Sequence, residues 1–393
     1  MVNRINVLFL MIEATIGGTE RLVLDLVKNL DRRVFAPSVG WFVDERSMKE
    51  FEDLQIPLYF LSKRKRLDWN TMSALSRIIR EHRIDVVNAH HFMPFVYASY
   101  AAKIANHARL VYTEHSESDV LSATGKWRAM GACLLRSSDA VVGVSDRVSR
   151  TLTAHFRLNP DRVHTIENGV DVRVFENCAD QRRDLRERFG FDPQDVVIGH
   201  VANFRHNKNH LFLLKSFREV LRERPHARLI LVGQGFAGDP ENSEEDIAKY
   251  IHDHDLQNSV SSVGHRSDVH DFLAMMDIFC LVSHREGLPL SLIEAMASGL
   301  PVLGTEVEGI RGVIEPGVNG LLVGPDDVSG LSLALKRLID DVALRQRMGA
   351  ASREAARHKY ALTRCIEETE RLFLTIQGAL DLGAERALLA VRQ

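Results

Sequence analysis

Short apolar, β-branched runs alternate along this chain with longer amphipathic stretches. In the first half the runs fall at Asn6–Met11, Pro37–Trp41, Asp85–Asn88, Arg109–Thr113, Ala140–Val144 and Val163–Ile166. In the second half they fall at Val196–Ala202, Arg228–Val232, Val260–Val263, Ile278–Val282, Pro301–Leu303 and Leu321–Val323. Between most of them the apolar residues recur at helical spacing, as in Leu22, Val23, Leu26, Val27 and Leu30, or Leu211, Leu214, Phe217, Val220 and Leu221. Strands that alternate with helices in this way build parallel sheets covered by helices on both faces. The pattern breaks once, at the turn chemistry of Asn168-Gly169-Val170-Asp171 and the polar stretch Asn177 to Arg188. This predicts two doubly wound α/β domains, 1–170 and 171–361. A last helical pattern at about Thr363 to Ile376 follows the second sheet, within a C-terminal segment 362–393.

A length of 393 residues suits two domains, and 45% hydrophobic with 26% charged residues is an ordinary globular profile. The formal charge of −3 gives no reason to expect nucleic acid. The four cysteines, Cys133, Cys178, Cys280 and Cys365, form no CxxC pair, which fits a reducing compartment better than a disulfide framework. No apolar stretch reaches the roughly 18 residues of a membrane span. A cytoplasmic protein is the expectation.

Ligands of open parallel sheets bind outside the carboxyl ends of the strands, so the chemistry is sought there. The strongest signal is Glu286-Gly287-Leu288-Pro289-Leu290, which leads from a strand into a helix carrying Glu294 and stopping at Gly299. Pro289 suits a first helical position, and the free N–H groups of Gly287, Leu288 and Leu290 can receive a diphosphate. The carboxylates of Glu286 and Glu294 can accept hydroxyls on either side of it. A second loop opens a helix after Val196–Ala202 and holds Arg205 and Lys208, cations for a leaving diphosphate. After the first strand come Ile16, Gly17, Gly18 and Thr19; the glycines permit close backbone approach, and Thr19 can cap the following helix. That pattern is neither a GxGxxG fingerprint nor a Walker loop. His90, His91 and His115 lie at strand ends, where a histidine can donate to a sugar hydroxyl or phosphate.

Each feature has a plainer reading: a capped helix with incidental charges, a solvated basic loop, a tight turn, satisfied structural histidines. His252-Asp253-His254-Asp255 resembles a metal-binding DxD but ends a polar helix pattern, away from any strand end. Lys63-Arg64-Lys65-Arg66 reads as a solvated loop, or as a contact for anionic lipid or a lipid-linked diphosphate.

In their order along the chain these motifs resemble retaining glycosyltransferase family four, whose members have the GT-B fold, and the resemblance spans nearly the whole chain. It rests on Gly17-Gly18-Thr19-Glu20, Thr113-Glu114-His115, Ile166 to Asp171, the Arg205–Lys208 loop and the Glu286-x7-Glu294 spacing. The resemblance implies two Rossmann-like domains facing across a cleft, with the last helix crossing back onto the first domain. It implies a nucleoside diphosphate sugar as donor and transfer to an acceptor hydroxyl with retention, in cell-surface polysaccharide or glycolipid synthesis. By it, Glu294 holds the ribose, Glu286 the donor sugar, and Arg205 and Lys208 the diphosphate. His115 lies by the reacting sugar, Gly18 approaches the phosphates, and the backbone around Gly264 and His265 meets the base. Neither metal nor cofactor is expected, because Arg205, Lys208 and the helix at Pro289 supply the positive charge. The acceptor is expected to be a sugar or lipid-linked sugar, with His90, His91 and the run Lys63–Arg66 on its side. Two departures are visible: the family's more common Arg position holds Asn203, and its usual Glu after the next strand is replaced by Gly312 in Glu308-Gly309-Ile310-Arg311-Gly312. An epimerase on the same fold, or a non-catalytic nucleotide-sugar-binding subunit, would carry much of the same pattern.

Overall fold

The computed structural model describes residues 4–14, 17–43, 49–63, 67–105, 107–176, 179–236 and 238–378. The chain divides into two compact units, residues 1–168 with 362–393, and 169–361. It leaves the first unit and returns at neighbouring points, where Val170 N–H donates to the Tyr360 carbonyl at 2.9 Å.

The first unit holds β1 (Ile5–Met11), β2 (Phe35–Trp41), β3 (Leu58–Phe60), β4 (Val86–His90), β5 (Arg109–Glu114), β6 (Ala140–Gly143) and β7 (Val163–Thr165). They form one parallel sheet in the order β3-β2-β1-β4-β5-β6-β7. The second unit holds β8 (Val196–Val201), β9 (Ala227–Val232), β10 (Val260–Ser262), β11 (Ile278–Leu281), β12 (Val302–Thr305) and β13 (Gly320–Val323). Its sheet is again parallel, ordered β10-β9-β8-β11-β12-β13. The central strands are apolar on both faces because helices cover both; Val7 to Met11 and Ile278 to Val282 are all fully buried. At about 1.5–3 kcal/mol for each large apolar side chain, such strands are the main stabilising element of each unit.

The order of strands fixes where ligands can bind. In the first sheet the direction of winding reverses between β1 and β4, and in the second between β8 and β11. At such a switch point the connections leave in opposite directions and open a crevice at the strands' carboxyl ends.

The helix Leu362–Ile376 belongs to the first unit. Its Phe373 ring packs against Phe9 of β1 and Phe35 of β2, at centroid distances of 6.1 and 6.2 Å. Glu370 accepts the Asp31 N–H at 2.8 Å, and Gln377 donates to the Asp85 carbonyl at 2.8 Å. Cys133, Cys280 and Cys365 are free thiols, and Cys178 lies outside the described residues.

Candidate active site

The loops after β8 and β11 bring two of the expected donor-side residues together, Lys208 and Glu286. His284 N–H donates to the Asn207 carbonyl at 2.8 Å, and the Asn207 side chain donates to the Arg285 carbonyl at 3.1 Å. With the loops laced in this way, Lys208 Nζ lies 2.6 Å from Glu286 Oε1, which also accepts from Ser283 Oγ at 2.5 Å. Arg205 is turned elsewhere. Its Nε donates to Asp239 at 2.5 Å, and its backbone bridges Asn242. Asp239 was not expected in the site; it arrives on the connection that follows β9.

Pro289 is the N-cap rather than the first helical residue, and the helix runs from Leu290 to Ala297. Glu294 lies half-buried on its second turn. The helix closes with Gly299 at φ +79°, whose N–H reaches the Met296 carbonyl while that of Leu300 reaches Ala295. That left-handed residue is the reason a glycine stands there. Gly309 supports the loop from below. A Cβ on it would come within 2.4 Å of the carbonyl oxygens of both Glu286 and Gly287. Gly264 is also left-handed, at φ +70°, and His265 beside it is exposed.

Behind Lys208 two buried histidines were missed. His200 donates from Nδ1 to the Cys280 carbonyl at 2.7 Å, and burial lowers its pKa to about 4. The His210 ring stands edge-on to it at 4.6 Å, and burial takes its pKa well below the usual value. Polar residues in otherwise apolar segments are the only trace of them in the sequence.

In the first unit the expected residues converge at the β1/β4 switch point. Gly17 caps the helix Gly18–Asn29. Glu20 lies over Gly17, so that a Cβ there would come 2.1 Å from its Oε2. Thr19 does not cap the helix; helical residue already, it places its hydroxyl 3.1 Å from His91 Nε2. His90 is the last residue of β4, and His91 follows in a left-handed conformation, φ +68°. His90 Nδ1 lies 2.8 Å from His115 Nε2, and the His91 ring rests 4.9 Å from that of His115.

The pKa values of the three histidines are pushed in different directions. Burial lowers His90 to about 3 and, with the neighbouring histidines, takes His115 well below the ordinary range. Burial also works against a charge on His91, but the hydrogen bond and charge of Glu114, with Asp119 and Glu20, outweigh it and raise its pKa. Glu114 stands in the Thr113-Glu114-His115 motif, which gave it no role; it is a carboxylate inside a buried strand. Its Oε1 accepts the N–H groups of His115 at 2.7 Å and Ser116 at 3.1 Å, and its Oε2 accepts the Tyr112 hydroxyl. His91, Glu114 and Asp119 could between them reach one cation. The Glu114 oxygens, however, are already engaged by the His115 and Ser116 N–H groups and the Tyr112 hydroxyl.

The remaining candidates lie apart. Lys63 is half-buried, while Ile16, Arg64, Lys65 and Arg66 lie outside the described residues. The next residues expose apolar side chains: Leu67 is 44% and Trp69 70% accessible, and the Trp69 ring meets Tyr100 edge-on at 6.1 Å. Asp253 and Asp255 are exposed, and His254 between them accepts from Arg218 at 2.9 Å. Among the described residues no helix is long and apolar enough to cross a membrane.

Two parallel sheets, each with its own switch point, make up a fold of the GT-B type. Solved structures agree on the fold. The Anabaena protein HepE, crystallised with UDP-glucose, superposes with a TM-score of 0.83 at 20% identity, over 96% of this chain and all (100%) of that one. The lipopolysaccharide glycosyltransferase WaaG superposes at 0.73 and 18% identity, over 95% and 100%.

Residues 16–174 match the model of Glycosyltransferase Family 4, and residues 181–355 that of Glycosyl transferases group 1. The chain belongs to this glycosyltransferase family. N-acetyl-alpha-D-glucosaminyl L-malate synthase of Bacillus anthracis is 26% identical over 83% of this chain and 84% of its own length. The Escherichia coli UDP-Gal:alpha-D-GlcNAc-diphosphoundecaprenol alpha-1,3-galactosyltransferase is 23% identical over 70% and 72%. A further relative, 28% identical over 56% of this chain and 60% of its own length, is the lipopolysaccharide core biosynthesis mannosyltransferase LpsB of Rhizobium meliloti.

Proposed function

We propose that the protein transfers a sugar from a nucleoside diphosphate sugar to an acceptor hydroxyl with retention of the anomeric configuration. The observation that carries this reading is the second-unit loop pair, where Lys208 and Glu286 meet at 2.6 Å beside the N-terminus of the helix Leu290–Ala297. Lys208, Arg205 and the N–H groups at the helix start receive the diphosphate, Glu286 the donor sugar, and Glu294 the ribose hydroxyls. Backbone at Gly264 and His265 meets the base; in the first unit the helix start at Gly18 is open to close approach, since a Cβ there would meet nothing within 4 Å. The C1–O bond to phosphate breaks as the acceptor oxygen bonds C1 from the same face, and the acceptor proton passes to the departing phosphate oxygen. The cations stabilise the charge that grows on that oxygen, so no metal or other cofactor is required. Names of relatives support the donor class: one takes UDP-Gal and makes an alpha linkage, and HepE was crystallised with UDP-glucose.

The acceptor is a sugar or lipid-linked sugar, met on the side of His90 and His91. Anionic lipid draws the first unit to the membrane through Lys63-Arg64-Lys65-Arg66 and the exposed Leu67 and Trp69, a cationic run followed by an aromatic side chain suited to a headgroup layer.

The test uses the slow hydrolysis of donor that transferases catalyse without acceptor. Calorimetry first identifies which of UDP, GDP and ADP binds, and Glu294→Ala is expected to abolish most of that affinity. Proton NMR then follows the first sugar released from the matching α-linked donor. Release of the α-anomer supports retention; initial release of the β-anomer overturns it, whatever the nucleotide.

A further inference from the structure

His90 and His115 are bound to each other at 2.8 Å, yet only one proton can occupy that contact. Both rings are neutral, since burial holds their pKa values low. The contact therefore has a direction, and the direction decides which nitrogen of His115 carries its proton. His90 is 1% exposed, and its Nε2 is buried with no partner among the protein's atoms. Next to it lies a partly open, mostly apolar pocket of about 20 Å³, room for one water, whose polar lining is His90, Asn88, Thr113 and Asn168, with Thr369 of the last helix. Thr113 Oγ1 donates to Asn88 Oδ1 at 2.8 Å, which leaves the Asn88 amide as a donor on its other side.

We propose that His90 is a positioning residue that fixes the tautomer of His115 through one buried water. The water accepts from Asn88 Nδ2 and donates to His90 Nε2. His90 then carries its proton on Nδ1 and donates to His115 Nε2. His115 is left with its proton on Nδ1, so that it presents a neutral N–H donor and cannot act as a base there. A donor of this kind suits a sugar hydroxyl or a phosphate oxygen. The chain of bonds begins on the last helix's side of the first unit, at Thr113 and Asn88, and ends at the ring beside which the reacting sugar is placed. That last step rests on the transfer proposed above, with His115 beside the reacting sugar as the family resemblance implies; the tautomer itself does not.

The test is nitrogen NMR of the full chain labelled with ¹⁵N-histidine, with His115 assigned by its loss in His115→Gln. Wild type is expected to show a protonated Nδ1 and a bare Nε2 on His115. A protonated Nε2 would overturn the proposal. Thr113→Val removes the hydroxyl that orients Asn88 without touching either histidine, and His90→Phe removes both nitrogens while keeping a ring. Each should release the tautomer of His115 into a mixture. Each should also lower kcat by about tenfold, the loss of one oriented hydrogen bond, with donor KM nearly unchanged. If His90→Phe does not fold, the wild-type and Thr113→Val spectra still decide. An unchanged tautomer in Thr113→Val would sink the relay. A released tautomer with full kcat would leave the relay standing and remove His115 from the sugar.

Discussion

Glu286→Gln separates two jobs that meet on one side chain. Lys208 Nζ is 2.6 Å from Glu286 Oε1, with the two side chains 23% and 9% exposed. The amide keeps the volume and an acceptor oxygen but removes the charge, leaving the ammonium without its counter-ion. Breaking a fully buried pair costs about 3–5 kcal/mol, whereas losing one hydrogen bond to a charged group costs about 1.5–3. Lys208 retains enough water contact to place the loss near the lower range, at about 2 kcal/mol. For a unit of this size each kcal/mol is worth roughly 2–4 °C, so its melting temperature should fall by about 4–8 °C. Bound nucleoside diphosphate offers Lys208 a new counter-charge, and the gap from wild type should narrow as nucleotide is added. Transfer should meanwhile fall by roughly 10- to 150-fold, because the sugar hydroxyls lose a charged acceptor. Thermal melts with and without nucleotide, beside product formation, measure all three. A gap that widens with nucleotide would mean that the carboxylate, not the cation, supports the diphosphate, and unchanged melting and transfer would refute the pair's role altogether.

Gly309→Ala should cost donor affinity by up to about 100-fold, because its Cβ would press on the carbonyls of Glu286 and Gly287 at 2.4 Å and displace the loop. Gly312→Ala is the control, since a Cβ there meets nothing closer than 3.8 Å; equal calorimetric affinity of both variants would discount the close approach. Transfer is expected to survive EDTA. Loss of activity restored by manganese would instead make ligands of His91, Glu114 and Asp119, or of the exposed Asp253 and Asp255. Replacing Lys63, Arg64, Lys65 and Arg66 together should weaken co-sedimentation with anionic vesicles by about 1 kcal/mol per cation near the surface, less at high salt, and leave nucleotide binding intact. Equal sedimentation of wild type and variant at low salt would return the run to a solvated loop. Stability should fall on acidification from about pH 6.5 towards 4, since His90, His115, His200 and His210 have lowered folded pKa values and only the unfolded chain takes up those protons. His91, raised, works in the opposite sense and loses its contribution as pH rises through its folded value. A urea midpoint that stays level between pH 6 and 5 would contradict the neutral histidines.

The alternation of buried strands and amphipathic helices was legible because both faces of each sheet are covered and the runs are therefore continuously apolar. The strand that escaped notice is β3, three residues at a sheet edge, where Leu58-Tyr59-Phe60 is only partly buried and short of any periodicity. β4 also extends further than its apolar run, because His90 is accommodated by its bond to His115 rather than by hydrophobic character. Motif residues were found where a loop or helix terminus dictated them, as at Gly17, Pro289 and Gly299. Their partners were not. Arg205 finds Asp239 at a separation of 34 residues, Lys208 finds Glu286 at 78, and His90 finds His115 at 25. Such separations follow from strand order, and no local pattern encodes them.

Those partners change how the site should be understood. Both cations assigned to the diphosphate already hold a carboxylate, Arg205 at 2.5 Å and Lys208 at 2.6 Å. A diphosphate must compete for them, so their contribution to affinity is the difference between phosphate and carboxylate partners, not the full strength of either contact. The two competitions are unequal. Arg205 is about half exposed and can release Asp239 into water at little cost. Glu286 is nearly enclosed and keeps Ser283 as a donor if Lys208 turns away. An enclosed carboxylate with one donor removed has spare acceptor capacity, and sugar hydroxyls are donors that can fill it. If Lys208 takes phosphate and Glu286 sugar, as proposed, the two become linked demands. A nucleotide alone would leave the carboxylate short of a partner, whereas the intact nucleotide sugar satisfies both. On the proposed assignment the pair would favour the donor over its nucleoside diphosphate product, the direction that product release requires; calorimetry that found the nucleoside diphosphate bound as tightly as the matching nucleotide sugar would refute this.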